Sequence, residues 1–153
     1  MDIKKLNTVY FLGVGGIGMS ALARYFLAQG CKVFGYDKTK TELTEQLEQE
    51  GVQIHYQEDV SFLKTVISSS DDCLICYTPA IPKDNKEFQY LQSNNFKLLK
   101  RSQVLGLISQ NYFTIAIAGT HGKTTTSSIV AHIINESLGS CIAFLGGISL
   151  NFN

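Results

Sequence analysis

Residues 115–125 read Ile-Ala-Ile-Ala-Gly-Thr-His-Gly-Lys-Thr-Thr, and this run narrows the possible folds more than any other stretch. An apolar strand leads into a turn bounded by Gly119 and Gly122, and Lys123 with Thr124, Thr125 and Thr126 then opens a helix. Strand, glycine turn and helix start in that order make a polyphosphate cradle. Backbone N–H groups and the positive helix end face the anion, a lysine adds a point charge, and a threonine hydroxyl can reach Mg²⁺. Strict Walker A spacing would place a first glycine at position 117, which is Ile117, so the loop is a shorter form covering residues 119–124. Only residues 120–153 follow Gly119. No complete nucleotide-hydrolysing domain fits in them, so the chain is expected to be the front part of a larger enzyme.

A second glycine loop lies near the start. Residues 8–12 read as a strand and are followed at once by Gly13-Val14-Gly15-Gly16-Ile17-Gly18, after which apolar residues recur at helical spacing (Ala21, Leu22, Tyr25, Phe26) until Gly30. Gly13, Gly15 and Gly18 match G-x-G-x-x-G in its proper context. The first glycine permits the tight turn, the second lets a diphosphate approach the backbone, and the third lets the helix pack on the strand. Asp37 ends the next strand, where a carboxylate can accept from a ribose hydroxyl; it can equally cap the turn beside Lys38 and Thr39. The glycines do not choose among NAD, FAD and a UDP-sugar, since each presents a diphosphate.

Strands alternate with helices along the rest of the chain. Strands are expected at 32–36, 53–56, 72–77, 96–99, 113–118 and 141–145, and helices at 42–50, 60–67, 87–93, 102–109 and from 123 to about 138. Both prolines lie in the loop Thr78-Pro79-Ala80-Ile81-Pro82, which reads as a rigid turn. This pattern predicts an α/β fold: a Rossmann-like, mainly parallel sheet with helices on both faces, plus the first β-α-β of a P-loop ATPase domain. The boundary falls where the second phosphate loop is about to begin, giving domains at 1–110 and 111–153.

Composition removes several alternatives. Lys plus Arg and Asp plus Glu are both 13, so no basic surface for nucleic acid is implied. Hydrophobic residues make up 44% and charged residues 17%, which supports a packed core and argues against disorder. No apolar run approaches the roughly 20 residues of a membrane span. The N-terminus runs into a strand with no secretory signal, so a cytoplasmic protein is expected. Cys73 and Cys76 form C-x-x-C inside an apolar strand and not at a helix start, so they, with Cys31 and Cys141, read as core cysteines. His55 and His132 have no evident partners. His121 is read as a loop residue facing solvent or phosphate, not as a catalytic group.

Two phosphate loops about one domain apart imply two phosphorylated molecules handled together, one held by its diphosphate and the other ATP. ATP-driven ligation on a nucleotide-linked substrate fits: a carboxylate becomes an acyl phosphate and an amine attacks it. Lys123 would neutralise the β- and γ-phosphates, and Thr124 or Thr125 would ligate Mg²⁺, unless these threonines only cap the helix. Two other classes compete. An NAD-dependent oxidoreductase domain would use residues 13–18 and Asp37 but leaves 119–125 without a purpose. A non-catalytic nucleotide sensor is the third.

The two loops together resemble those of the Mur ligases of bacterial peptidoglycan synthesis. The resemblance rests on Gly13-Val14-Gly15-Gly16-Ile17-Gly18-Met19-Ser20-Ala21, on Thr78-Pro79-Ala80-Ile81 with Asn85 and Glu87, on Lys100-Arg101-Ser102, and on residues 118–126. It implies a UDP-binding domain, a central ATPase domain and a third domain for the amino acid, of which this chain holds the first and the opening of the second. By the same resemblance, Gly15, Gly16, Ile17, Gly18, Met19 and Ser20 would hold the UDP diphosphate. Asp37, Thr78, Pro79, Ala80 and Ile81 would line the uridine side. Gly119, Thr120, His121, Gly122, Lys123, Thr124 and Thr125 would hold ATP, with Lys123 and Thr124 serving the chemistry. The wording Gly-Gly-Ile-Gly-Met-Ser points, within the family, to the joining of L-alanine to UDP-N-acetylmuramic acid. A related ligase that recycles cell-wall tripeptide shares much of this region. Alone, the chain is expected to bind the UDP compound and to be inactive.

Overall fold

A computed structural model describes residues 3–67 and 73–147. The chain divides into two compact units, Met1–Tyr112 and Phe113–Asn153.

The first unit carries β1 (Thr8–Leu12), α1 (Ile17–Ala28), β2 (Lys32–Tyr36), α2 (Glu42–Glu50), β3 (Gln53–His55), α3 (Val60–Val66), β4 (Cys73–Tyr77), α4 (Lys86–Ser93), β5 (Leu98–Lys100) and α5 (Arg101–Ser109), after a short 3-10 turn at Ile3–Lys5. The five strands form one parallel sheet in the order β3-β2-β1-β4-β5. A parallel sheet is covered on both faces, so its central strands must be apolar throughout. The sequence Thr-Val-Tyr-Phe-Leu of β1 obeys this, and Val9, Tyr10, Phe11 and Leu12 are all fully buried. On one face Tyr10, Leu12, Phe34, Tyr36 and Ile75 pack with Leu63 of α3 and Leu91 of α4. On the other, Phe11 lies against Phe26 of α1 and Cys76 against Met19.

Local chemistry sets the helix bounds. Thr41 and Thr44 exchange backbone-to-hydroxyl bonds at the start of α2, and Gly51 ends it at φ +110°, with Val52 N–H donating to Leu47 O. The Asp59 carboxylate accepts from Ser61 N–H and Phe62 N–H to cap α3, and the Asn85 side-chain oxygen accepts from Phe88 N–H to cap α4. Three of the four cysteines expected in the core are there; Cys141, in the second unit, is only half-buried. Cys31, Cys73 and Cys76 are buried, and burial pushes the thiols of Cys73 and Cys76 up to about 12.

Among the described residues the second unit holds one helix, α6 (Lys123–Leu138), preceded by the loop at 119–122. The strands expected at 113–118 and 141–145 do not form as strands. A strand exists by its ladder, and neither segment has a strand partner among the described residues. Phe113 is 96% exposed and Leu138 77%, and among the described residues only Ala131 of this unit is buried. No described helix is long and apolar enough to cross a membrane.

Candidate functional site

The carboxyl ends of parallel strands, where the strand order reverses, are where an open α/β sheet binds ligands. In the first unit that reversal lies between β1 and β4. Leu12 is paired with Tyr36 on one side and Tyr77 on the other, and Tyr77 with Lys100. The next residues of the four strands, Gly13, Asp37, Thr78 and Arg101, therefore leave the sheet at one edge.

The glycine loop is built tightly into this edge. The N–H groups of Gly13 and Val14 both donate to Tyr36 O, at 2.8 and 3.2 Å. Gly13 has φ +86°, and a Cβ there would lie 2.4 Å from Thr78 Cγ2, so only glycine fits. Thr78 N–H donates to Leu12 O, and Ile81 N–H to Thr78 O, which folds residues 78–81 over the loop as a turn. The Gly15 N–H donates to Asp37 Oδ2 at 2.7 Å, and Asp37 Oδ1 accepts from Thr39 N–H at 3.1 Å. Asp37 thus fulfils the turn-capping alternative. Each of its oxygens keeps a lone pair that a ribose hydroxyl could use. A Cβ on Gly15 would sit 2.9 Å from both Asp37 Oδ2 and Thr44 Cγ2, so the absence of a side chain here admits the carboxylate and the Thr44 methyl together.

Helix α1 begins on Gly16 with no side-chain cap and no acidic residue in its first turn. Among the described residues no acceptor meets the N–H groups of Gly16, Ile17 and Gly18. These three donors, exposed or half-exposed, are what the loop offers an anion. Met19 and Ser20 are different. Both are 2% exposed, both N–H groups donate to Gly16 O, and the Ser20 hydroxyl donates to Ile17 O at 2.9 Å. They support the loop from beneath and turn no side chain to its open face.

At Gly18 the nearest neighbours are not atoms of the strand beneath but those of one side chain. A Cβ there would meet Arg101, with Cδ and Nη1 at 2.9 Å and Cζ at 3.2 Å. Arg101 opens α5 and reaches back over the first turn of α1. The sequence singles out Lys100-Arg101-Ser102 only through the family resemblance; that Arg101 meets Gly18 has no local signal, because strand order sets the two side by side.

His55 also departs from expectation, for it has partners. Its Nε2 lies 2.8 Å from the Tyr10 hydroxyl and its Nδ1 2.7 Å from Gln57 O. The Tyr10 hydroxyl donates to Glu87 Oε2 at 2.5 Å, and Asp59 N–H donates to Glu87 Oε1 at 2.7 Å. Glu87 is fully buried, and burial raises its carboxyl above the ordinary 4.5; burial likewise raises the Tyr10 phenol. The cluster ties β1, β3 and α4 together on the face of the sheet that Tyr10 shares with Leu63 and Leu91. His132 is exposed.

In the second unit, Gly119 has φ +154° and Gly122 φ +76°, and α6 begins on Gly122 with no side-chain cap and no acidic residue in its first turn. None of the three threonines is therefore the N-cap. Lys123 Nζ donates to Gly119 O at 2.6 Å and to Thr120 O at 3.1 Å, arching across its own loop. Thr120, His121, Thr124 and Thr125 are exposed. Gly146 and Gly147 lie beside Thr124, and Cβ atoms on them would come 3.3 Å from Thr124 Oγ1 and 3.6 Å from its Cγ2. Glycine at 146 leaves room beside the Thr124 hydroxyl. Among the described residues no cluster of three His, Cys, Asp or Glu could hold a metal.

Comparison with known proteins agrees with this geometry. Residues 8–113 match the profile of the Mur ligase family, catalytic domain. The chain is 51% identical over 152 residues to the UDP-N-acetylmuramate–L-alanine ligase of Parabacteroides distasonis, covering 99% of this chain and 33% of that protein. It is 50% identical over 153 residues to the ligase of the same name from Cytophaga hutchinsonii, covering 100% and 33%. It spans about a third of the length of the curated relatives it matches. Among solved structures, the UDP-N-acetylmuramate–alanine ligase of Thermotoga maritima superposes with a TM-score of 0.78 at 32% identity, over 93% of this chain and 32% of that one. A murein peptide ligase from Psychrobacter arcticus gives 0.72 at 28% identity, over 85% and 26%.

Proposed function

Because the chain belongs to the Mur ligase family, we propose that it supplies the UDP-substrate site and the opening of the ATP site of a cytoplasmic ligase joining L-alanine to UDP-N-acetylmuramic acid. The observation that carries this reading is that two helices, α1 and α6, start on a glycine of a glycine loop, Gly16 and Gly122, with no cap of their own. Each lacks a side-chain cap and an acidic residue in its first turn. A helix start without its own cap leaves backbone N–H groups and the positive end of the helix open to an outside anion.

In this reading Gly16, Ile17 and Gly18 hold the diphosphate through their N–H groups, Asp37 accepts from the ribose, and Thr78 and Ile81 close the uridine side with Pro79 and Ala80. Lys123 exchanges its two loop carbonyls for phosphate oxygens. Thr124, whose hydroxyl lies beside Gly146, is the better placed threonine for a magnesium ion, with Thr125 beside it. A single hydroxyl suits Mg²⁺, which keeps several waters and binds through substrate phosphates as well as one or two protein groups. ATP supplies the phosphoryl group that activates the carboxylate; the chain's own part is to place and neutralise the phosphates.

The L-alanine enzyme is favoured over the peptide-recycling ligase because the relatives at 51% and 50% identity carry the former name, whereas the solved peptide ligase stands at 28%. Calorimetry with UDP-N-acetylmuramic acid tests the reading. The expected result is saturable binding in the micromolar to millimolar range with no response to NADH. No heat with the UDP compound at millimolar concentration, or tight binding of NADH, overturns it.

A further inference from the structure

We propose that Arg101 is the cation of the first phosphate site, and that Gly18 is a glycine so that this arginine can lie across the first turn of α1. The inference rests on the reading of residues 13–18 as a UDP-diphosphate site and adds a residue and a charge requirement to it.

Three observations converge. The guanidinium touches the position where a Gly18 side chain would stand, with Nη1 2.9 Å from the place of its Cβ. Among the described residues Arg101 forms no hydrogen bond and no ion pair, although it is exposed and lies within reach of α1's free N–H groups. The start of α1 is itself a positive pole with no carboxylate in its first turn. A cation set against the positive end of a helix is unfavourable unless an anion joins them.

The position of Asp37 strengthens the case. Its carboxylate is bonded to the Gly15 N–H, so that donor is occupied and a negative charge already borders the loop. A diphosphate bringing two more charges needs more than three backbone dipoles. A guanidinium is suited to the task, since its planar fork of N–H donors fits phosphate oxygens two at a time. Strand order delivers it: Lys100 ends β5 beside Tyr77, Tyr77 stands beside Leu12, and the glycine loop begins at the next residue. The third glycine of the motif is thereby matched to a side chain contributed by α5.

The test compares uridine and UDP on the chain and its variants. In the parent, UDP binds more tightly than uridine. Arg101→Gln weakens UDP about 10- to 100-fold, the range for a lost charge-assisted hydrogen bond, and leaves uridine unchanged. The salt dependence of UDP binding becomes shallower. Arg101→Lys recovers part of the loss, and Gly18→Ala, which displaces the arginine, weakens UDP in the parent but adds little in the Arg101→Gln background. Circular dichroism confirms that each variant is folded, and Arg101→Lys serves if Arg101→Gln is not. Unchanged UDP affinity in Arg101→Gln, or equal loss of uridine and UDP, overturns the assignment of Arg101 alone. A parent chain that binds neither UDP nor UDP-N-acetylmuramic acid overturns the nucleotide-site reading and this inference with it.

Discussion

The loops at 13–18 and 119–122 start alike and are supported very differently. Both give way to a helix that begins on glycine, bare of a side-chain cap and of acidic residues. The first is locked on three sides: to Tyr36 O through Gly13 and Val14, to Asp37 through Gly15, and under the turn at 78–81. The second is held by its own Lys123, and the apolar segments flanking it have no strand ladder. The glycine-loop-then-helix pattern is thus local in sequence, whereas the fixing of the first loop comes from the sheet to which it is attached.

The contrast makes predictions, the largest first. In a protein of the relatives' full length, Lys123→Ala lowers ligation by about 100- to 1,000-fold or more, as expected for losing one preorganised charge on a transferring group. Binding of UDP-N-acetylmuramic acid stays within about twofold, because the change lies in the other unit. Steady-state rates and calorimetry check this, and parallel loss of both would break the division of labour.

Next comes a pair of identical substitutions. Gly13→Ala forces a side chain into φ +86° and against Thr78 Cγ2, and should cost about 3 kcal/mol from backbone strain and overpacking together. Gly122→Ala has φ +76° but nothing nearer than Thr126 Oγ1 at 3.9 Å, so only the backbone term of about 1–2 kcal/mol remains. Urea titrations of the two variants beside the parent decide it, and equal losses would show that the first loop is no more tightly built than the second.

The smallest effect concerns Glu87, inside the unit that holds the first loop. Its carboxyl is raised above 4.5 by burial, so the folded state holds this proton more firmly than the unfolded state. That contribution to stability is fully present below pH 4.5 and is lost as pH rises through the higher folded value. Glu87→Gln should remove the loss, so the variant gains on the parent as pH is raised from 4 to 8. Thermal melts across that range would show a constant difference if Glu87 were not the group involved.

Much of the first unit is legible in the sequence because its signals are local. Apolar runs mark strands, Gly30 and Gly51 stop helices, and a C-x-x-C in an apolar run is core. What escaped is non-local. Arg101 meets Gly18, and His55 meets Tyr10 and Glu87, only because strands distant in sequence lie side by side in the order 3-2-1-4-5. Residues 113–118 fail in the opposite way: their composition suits a strand, but a strand also needs a neighbour to accept its hydrogen bonds. The roles of Met19 and Ser20 were hidden by the one-turn offset between them and the open donors of Gly16, Ile17 and Gly18.

The bond from Gly15 N–H to Asp37 has a bearing on how experiments at this position are interpreted. In the proposed site one carboxylate would both meet the sugar and fasten the neighbouring turn, so replacing it would alter two contacts at once. Weakened nucleotide affinity in Asp37→Ala would not measure a ribose contact. Only a deoxyribose analogue, tested on the unaltered chain, separates recognition of the sugar from the shape of the turn beside it.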